Sequence, residues 1–475
     1  MTAPPAQSLP IKLISVEESS MHGGVKVTER IFEVPLDYNK PEDGRKIHIF
    51  MRELVRKSIS NPETPCLLYF QGGPGMPSPR PSNPVGAWTK TALNDFRICL
   101  LDQRGTGRSS PASLDVLETL GSPEAIAEHL SHFRADNIVR DAEAIRQFLF
   151  PKNKWTLLGQ SFGGFCNLSY LSFFPKSLER VLFTCGLAPV LRGIDEVYTA
   201  TYRRMKVRSA RYYARYPNDV AKVRAIVQHL AENEGVRLQG GGLLTPERFQ
   251  QLGMLLGSYS GMEELHWLIE DPWVKGPCAG YTTDRRLSTE FLKAVEDITG
   301  VFEKRPLYFL LHESIYCDGP MRSPSNWAAE RVRQQSEFAS AFDARSCVAN
   351  GTPVPFTGET VHEWMIQGYK RLGGNVGEAA KLLAKKTDWP HLYDIDKLRN
   401  GACSVATAAL ISYDDVFVER EFSEETASLL GPPGACATWV SNEFQHSALR
   451  DEADRVFGNL LAMTSEIPWD RVIPS

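Results

Sequence analysis

The 475-residue sequence has no uninterrupted apolar stretch near the roughly 18 residues that cross a bilayer, which leaves no candidate for a spanning helix. It has little excess charge of either sign. Its 53 Lys and Arg against 57 Asp and Glu give a formal net charge of -4. That balance speaks against an electrostatic grip on nucleic acid or on an anionic membrane. The 9 cysteines include no Cys-x-x-Cys pair. Most sit in apolar runs, as Cys66, Cys99 and Cys436 do, where a free thiol serves as a small hydrophobe. The first residues lack a basic segment followed by an apolar one, so no secretory leader is expected. A reducing, cytoplasmic setting fits these absences. Internal repeats and low-complexity tracts are missing too.

What is present is an ordinary globular composition, 42% hydrophobic and 23% charged. The length allows more than one domain at about 150 residues each. Residues 1–20 read as a poorly ordered lead. Residues 26–34 and 47–55 alternate like strands, separated by Pro35-Leu36-Asp37-Tyr38 and a turn at Pro41 to Gly44, and are expected to pair antiparallel at a sheet edge. Apolar runs at 66–70, 98–101, 155–158 and 181–185 alternate with helical stretches. In one of those, Ile138, Ala142, Ile145 and Leu149 share a face. Such alternation implies an α/β fold with a parallel sheet covered on both sides. From residue 187 to 400 helical patterns dominate, at 196–211, 219–233, 245–259 and 328–341. Only 307–311 looks like a further buried run. Strand-like runs return at 405–411 and 435–440, before a helix at 452–463. The expected organisation is a core of residues 1–186 and 401–475, split by a mainly helical insertion over 187–400.

Chemistry concentrates where the apolar runs end. Gly159-Gln160-Ser161-Phe162-Gly163 places a serine between a strand and a helix, the pattern of a nucleophile elbow. Neighbours without a Cβ let strand and helix approach closely and leave the hydroxyl free. The helix that follows aims its unpaired first N–H groups, that of Phe162 among them, at whatever the serine attacks. Gln71-Gly72-Gly73-Pro74-Gly75 follows another strand and can offer the Gly73 N–H as a second oxyanion donor. In Asp102-Gln103-Arg104-Gly105-Thr106-Gly107-Arg108, the charged residues Asp102, Arg104 and Arg108 read as an ion-paired brace. Ser110 at the third glycine position argues against a dinucleotide site. Near the C-terminus, Asp414-Asp415 and then His446 each follow a strand. The chain order Ser, Asp, His is that of an α/β-hydrolase triad. A serine hydroxyl needs a histidine to take its proton, and that imidazole needs a carboxylate to fix its tautomer and stabilise its cation. Which of Asp414 and Asp415 serves is open on these grounds.

Gln71-Gly72-Gly73-Pro74-Gly75, Asp102 to Ser109, Gly159 to Gly164, residues 133–146, Gly186-Leu187-Ala188-Pro189 with Asp195 to Tyr198, Leu311-His312-Glu313 and Asn442 to His446 together resemble the proline iminopeptidase (prolyl aminopeptidase) family of α/β-hydrolases. The likeness is to its larger-lid branch and runs from about residue 30 to 460. It implies a mostly parallel central sheet covered by helices, with a large, mainly helical lid insertion. The implied activity is a serine aminopeptidase releasing an N-terminal residue, most often proline, without a cofactor. Lining up the segment with members that carry a single aspartate favours Asp415. The sequence departs from the family in Gln71, which stands where many members have histidine. The oxyanion donor there is backbone, so that change is expected to matter little.

Such a substrate, a peptide or small molecule, brings a free cationic amine into a lid-covered site, where carboxylates should meet it. Glu313, Glu196 and Glu264 are the candidates, with Glu270 a further acidic residue of the insertion. Glu313 leads them because it ends an apolar run. Tyr316 and Trp327 could line a pocket for a pyrrolidine ring. His312-Glu313 and His362-Glu363 begin like His-Glu-x-x-His, but Tyr316 and Ile366 occupy the second histidine position, so no metal is expected. The rival reading keeps the triad and changes the substrate, to an esterase, amidase or thioesterase. A catalytically silent hydrolase-like binding protein is the remaining alternative.

Overall fold

The computed structural model describes residues 9–83, 85–276, 285–401, 405–431 and 435–465. Nine strands form one sheet: β1 (Lys12–Met21), β2 (Val25–Pro35), β3 (Lys46–Arg56), β4 (Cys66–Phe70), β5 (Arg97–Leu101), β6 (Trp155–Gln160), β7 (Leu178–Thr184), β10 (Ala406–Ser412) and β11 (Cys436–Ser441). The short pair β8 (Val236–Arg237) and β9 (Leu243–Leu244) makes a separate antiparallel ribbon in the insertion. The order across the sheet is β1-β2-β3-β5-β4-β6-β7-β10-β11. The first three strands run antiparallel. From β5 to β11 every neighbouring pair is parallel.

The alternation of side chains along each strand divides the core in two. Cys66, Leu68 and Phe70 of β4 pack on one face with the helices Ala135–Leu149 and Phe162–Phe173. Leu67 and Tyr69 point to the other face, where Trp88 and Ala92 of the helix Ala87–Ala92 meet Val456, Phe457 and Leu460 of the helix Ala453–Met463. Both faces of the central parallel strands β4, β5, β6 and β10 are therefore dry. This explains why those segments read as unbroken apolar runs.

The structure departs from expectation in three places. The lead is not unstructured: residues 12–21 form β1, paired with β2 across a turn in which Gly23 and Gly24 take φ of 79° and 72°. Its side chains are largely exposed, so no apolar face announced it. Residues 1–8 of that lead lie outside the described residues. The expected helix at 245–259 is a short α-helix, Pro246–Gln250, continuing as the 3-10 turn Gln251–Gly257. That at 328–341 breaks into Ala328–Arg333 and Ala339–Phe342. The apolar run at 307–311 is a buried helix, Pro306–Leu310. Among the described residues between β7 and β10 the regular structure is helical apart from the β8–β9 ribbon, and the longest helix, Ile194–Arg215, is joined to the carboxyl edge of the sheet by ion pairs described below.

Candidate active site

The loops that leave β4, β5, β6, β7, β10 and β11 gather at one edge of the sheet, the carboxyl edge, where an open α/β sheet collects its site. Ser161 sits between β6 and the helix Phe162–Phe173, with φ 55° and ψ -126°. A side-chain-bearing residue at positive φ is strained by about 1–3 kcal/mol, and the surroundings hold it there. The Ser161 N–H donates to the Thr184 carbonyl at 3.0 Å, and its carbonyl accepts from the Gly164 N–H at 2.7 Å. The glycines are required by close approach. A Cβ on Gly163 would stand 2.0 Å from the Phe70 carbonyl oxygen, and one on Gly164 2.2 Å from that of Gly186. Ser161 itself is buried, 9% exposed.

His446, on the loop after β11, is held from two sides. Its Nδ1 lies 2.9 Å and 3.2 Å from the Asp415 carboxylate oxygens. Its carbonyl accepts from Gln160 Nε2 at 2.9 Å, and Gln160 Oε1 in turn accepts from the Thr184 hydroxyl at 2.8 Å. The residue before the elbow serine thus ties the histidine loop to the elbow. Gln160 is a positioning residue that the sequence pattern leaves blank, as the first x of Gly-x-Ser-x-Gly. Asp415 is fixed as well, its Oδ1 accepting the N–H groups of Phe417 and Val418 at 2.9 and 3.0 Å. Burial pushes the His446 pKa down, but the charge and hydrogen bond of Asp415 outweigh it and leave the pKa above the ordinary 6.5. The adjacent Asp414 points the other way, into an ion pair with Arg211 of the helix Ile194–Arg215.

The glycine turn after β4 lies over the serine: a Cβ on Gly72 would meet Ser161 Cβ at 3.0 Å. Two side chains hold the turn. Gln103 Nε2 donates to the Gln71 carbonyl at 3.0 Å, and the Tyr69 hydroxyl donates to Gln71 Oε1 at 2.7 Å. The charged residues after β5 are ion-paired, though not with one another. Asp102 pairs with Arg80, Arg104 with Asp141 and Arg108 with Glu29. The Arg108 N–H also donates to Asp102 at 2.9 Å.

The lid carboxylates fall into two groups. Glu196 is exposed at the start of the helix Ile194–Arg215, where it accepts the Gly193 N–H at 2.9 Å and pairs with Arg192. Glu264 and Glu270 are exposed, and Glu264 accepts the Ser260 hydroxyl. Glu313 is buried, as its place in an apolar run implies. Burial raises its pKa to about 7, against the relief given by Ser325 and the N–H groups of Ala328 and Ala329. Its Oε2 has no hydrogen-bond partner among the described residues. It shares a cavity with Trp327, Phe309 and Ser325, while its charge also reaches Tyr198.

A second, small cavity is lined by Tyr198, Tyr202, Tyr316, Glu359, Val416 and Phe417 among others. The Phe417 ring stands edge-on to His446, centroids 5.1 Å apart. Glu359 accepts the Tyr308 hydroxyl. Burial raises its pKa, while the attraction of His446 opposes the rise. Sequence reasoning passed over Glu359. The signal was there: it lies in the run Val354-Pro355-Phe356-Thr357-Gly358-Glu359-Thr360-Val361, apolar on both sides like the run before Glu313. Tyr316 joins this cavity, as expected of a pocket aromatic, whereas Trp327 stacks on Phe309 beside Glu313.

His312 is buried against Tyr308 and Tyr316, with its pKa driven down to about 4 by desolvation. His362 is held between Glu330 and Thr360. Among the described residues no group of three or more His, Cys, Asp or Glu side chains converges as a metal site, and no helix is long and apolar enough to cross a membrane.

A family model described as alpha/beta hydrolase fold matches residues 65–225. The chain is 42% identical over 443 residues to a proline iminopeptidase of Aeromonas sobria, covering 93% of this chain and 97% of that one. It is 33% identical over 469 residues to a proline iminopeptidase of Aspergillus aculeatus, covering 96% and 98%. The crystal structure of a proline iminopeptidase from Mycobacterium smegmatis aligns at 11% identity with a TM-score of 0.41, over 88% of this chain and 95% of that one. With two relatives above 30% identity along almost their whole length, this chain belongs to the proline iminopeptidase family of α/β-hydrolases.

Proposed function

We propose that the chain is a serine aminopeptidase that releases an N-terminal residue, proline foremost, through Ser161, His446 and Asp415. The observation that carries this reading is the imidazole of His446, bonded to buried Asp415 at 2.9 Å and tied through its own carbonyl to Gln160, the neighbour of Ser161. Ser161 Oγ attacks the carbonyl carbon of the first residue, and His446 Nε2 takes its proton. The oxyanion is met by the N–H groups of Gly73 and Phe162, each such donor being worth about 3 kcal/mol of barrier. His446 then returns the proton to the leaving amine, and water cleaves the acyl-enzyme by the same route.

The free amine of the substrate is received by Glu359, in the cavity lined by Tyr198, Tyr316 and Phe417. Glu313, buried and with its charge reaching Tyr198 of that cavity, is a second carboxylate available to it. Glu196 and Glu264 are exposed and engaged at the surface, and this role does not extend to them. A site that keeps a carboxylate next to its catalytic base suits a cation. A neutral or anionic acyl group would leave that charge unanswered.

The test compares prolyl-arylamide with its N-acetyl derivative. The free amine is expected to react at least a hundredfold faster, Glu359→Gln to remove most of that preference, and Ser161→Ala to abolish turnover of both. Equal rates on the two substrates would favour the esterase or amidase reading. Turnover surviving in Ser161→Ala would refute the assignment of the nucleophile.

A further inference from the structure

A carboxylate that receives the substrate amine has to stand at one place relative to the oxyanion turn. In an N-terminal residue the amine nitrogen lies only about 2.5 Å from the carbonyl carbon, across a single bond angle. Holding that nitrogen while the carbonyl meets Ser161 leaves little latitude, and a misplacement of about 1 Å can cost about a hundredfold in rate. Glu359 is a long side chain on a segment without regular structure, between the helices Ala344–Ala349 and Met365–Gly368. Its position is therefore set by what packs against it.

The backbone is held from the histidine side. A Cβ on Gly358 would lie 3.4 Å from Phe417 Cε1 and 3.3 Å from Met205 Cγ, and Phe417 is the ring that stands edge-on to His446. The carboxylate is held from the other side, by one residue. Tyr308, buried in the helix Pro306–Leu310, donates its hydroxyl to Glu359 Oε1. No other hydrogen bond or ion pair to this carboxylate occurs among the described residues. The Tyr308 ring is fixed in turn, stacked on Phe302 with centroids 5.3 Å apart and edge-on to His312 at 5.2 Å.

The helix that carries Tyr308 is seated on the catalytic edge of the sheet. A Cβ on Gly75 would stand 3.1 Å from the Tyr308 nitrogen and 2.9 Å from Leu307 Cβ. One on Gly105, in the loop after β5, would stand 2.6 Å from Leu307 Cδ1. Leu307 thus rests on both loops, and Tyr308 reaches from that seat to Glu359. Gly75 belongs to the same turn as Gly73, so a short chain of contacts joins the proposed oxyanion donor to the proposed amine site. A buried tyrosine needs an acceptor, and any carbonyl would serve. Here the acceptor is a carboxylate lining the cavity, and a hydroxyl on one of its oxygens fixes its rotation while leaving the second oxygen to a ligand.

We propose that Tyr308 is a positioning residue: acting through Glu359, it fixes the amine site relative to the oxyanion turn and so sets the preference for an unblocked N-terminus. The inference rests on the aminopeptidase reading and names what holds that reading's amine-binding carboxylate in place.

The experiment is a double-mutant cycle on the full-length enzyme, with Tyr308→Phe, Glu359→Gln and the two combined. In each protein kcat/KM is measured for prolyl-arylamide and for its N-acetyl derivative, so a general loss of activity cancels in the ratio. Phenylalanine keeps the ring that packs on Phe302 and removes only the hydroxyl. Tyr308→Phe is expected to lower the free-amine preference by about tenfold, the scale of one hydrogen bond to a charged group. The rate on the N-acetyl substrate should stay unchanged. In the Glu359→Gln background the same substitution should leave the ratio where it is. Three results would overturn the proposal: an undiminished ratio in Tyr308→Phe, an equal fall on both substrates, or the same further loss with and without Glu359. Absence of any free-amine preference in the unsubstituted enzyme would instead remove the aminopeptidase reading, and this inference with it.

Discussion

The carboxyl edge of the sheet and the lid that faces it treat their polar groups in opposite ways. At the edge, the residues around the proposed nucleophile and base are tied down: both Asp415 oxygens are bonded, Gln160 spans Thr184 and His446, and Gln71 is held at its carbonyl and its side chain. Across the cavity the lid keeps groups in reserve, with the Tyr198 hydroxyl and Glu313 Oε2 buried without partners among the described residues. The difference follows from what each side must do. Catalytic groups gain from being fixed before the substrate arrives, since no reorganisation is then needed during the reaction. Groups that recognise a ligand must have hydrogen-bonding capacity left to offer, at a cost in folding stability.

The neighbours Asp414 and Asp415 give the sharpest way to break this contrast, because they lie on its two sides. Asp415 turns inward to the imidazole; Asp414 turns outward to Arg211 of the lid. Asp415→Asn should lower kcat on prolyl-arylamide by roughly 10⁴-fold, since an amide favours the wrong tautomer of the histidine. Asp414→Asn removes one of several partly exposed ion pairs between lid and core, the others being Arg204–Glu419 and Arg192–Glu425. It should change kcat no more than a few-fold, as exposed pairs contribute about 0–1 kcal/mol. Steady-state rates of the two variants, measured side by side, decide the matter. Equal losses would mean that the carboxylates share the role.

Glu313 tests the other half, the cost of groups held in reserve. Its carboxyl is protonated more readily in the folded chain than in the unfolded one, with a pKa raised from 4.5 to about 7. Between those values the folded state binds the extra proton, so stability falls as pH rises through that window and levels off above it. Glu313→Gln keeps the shape and removes the charge. It should stabilise the protein by up to about 3 kcal/mol at pH 8, the shift converted at 1.36 kcal/mol per unit, and by little at pH 4. Urea unfolding at the two pH values measures both. A gain at pH 4 as large as that at pH 8 would show that the carboxyl is not the source.

Much of the edge was legible in the sequence because its residues are fixed by local geometry. The elbow requires glycines at 163 and 164 wherever helix and strand approach so closely, and β4, β6 and β7 announce themselves as apolar runs because both their faces are buried. The lid was less legible, and for a physical reason. A carboxylate that binds a ligand and one that caps a helix are the same residue type at similar spacings. Only the packing of distant segments shows that Glu196 takes the second role while Glu359 faces the cavity. The strand β1 was missed because its side chains are largely exposed, and the break at 245–259 because a 3-10 turn brings i and i+3 residues to one face much as a helix does.

The smallest expected effect concerns the base itself. His446 must be neutral to accept the serine proton, and Asp415 holds its pKa above 6.5 against the pull of burial. As pH falls through that raised value the imidazole is protonated and activity is lost, by about tenfold for each further unit. The acid limb of kcat/KM on prolyl-arylamide should therefore have its midpoint above 6.5 in the unsubstituted enzyme. Residual activity in Asp415→Asn should have its midpoint lower, because the charge that opposed burial is gone. Glu313, with its pKa raised to about 7, would imitate such a limb, so the profile is read in Glu313→Gln as well. A midpoint that moves with Glu313 and not with Asp415 would place the controlling proton in the lid, and the division between a fixed edge and a responsive lid would have to be redrawn.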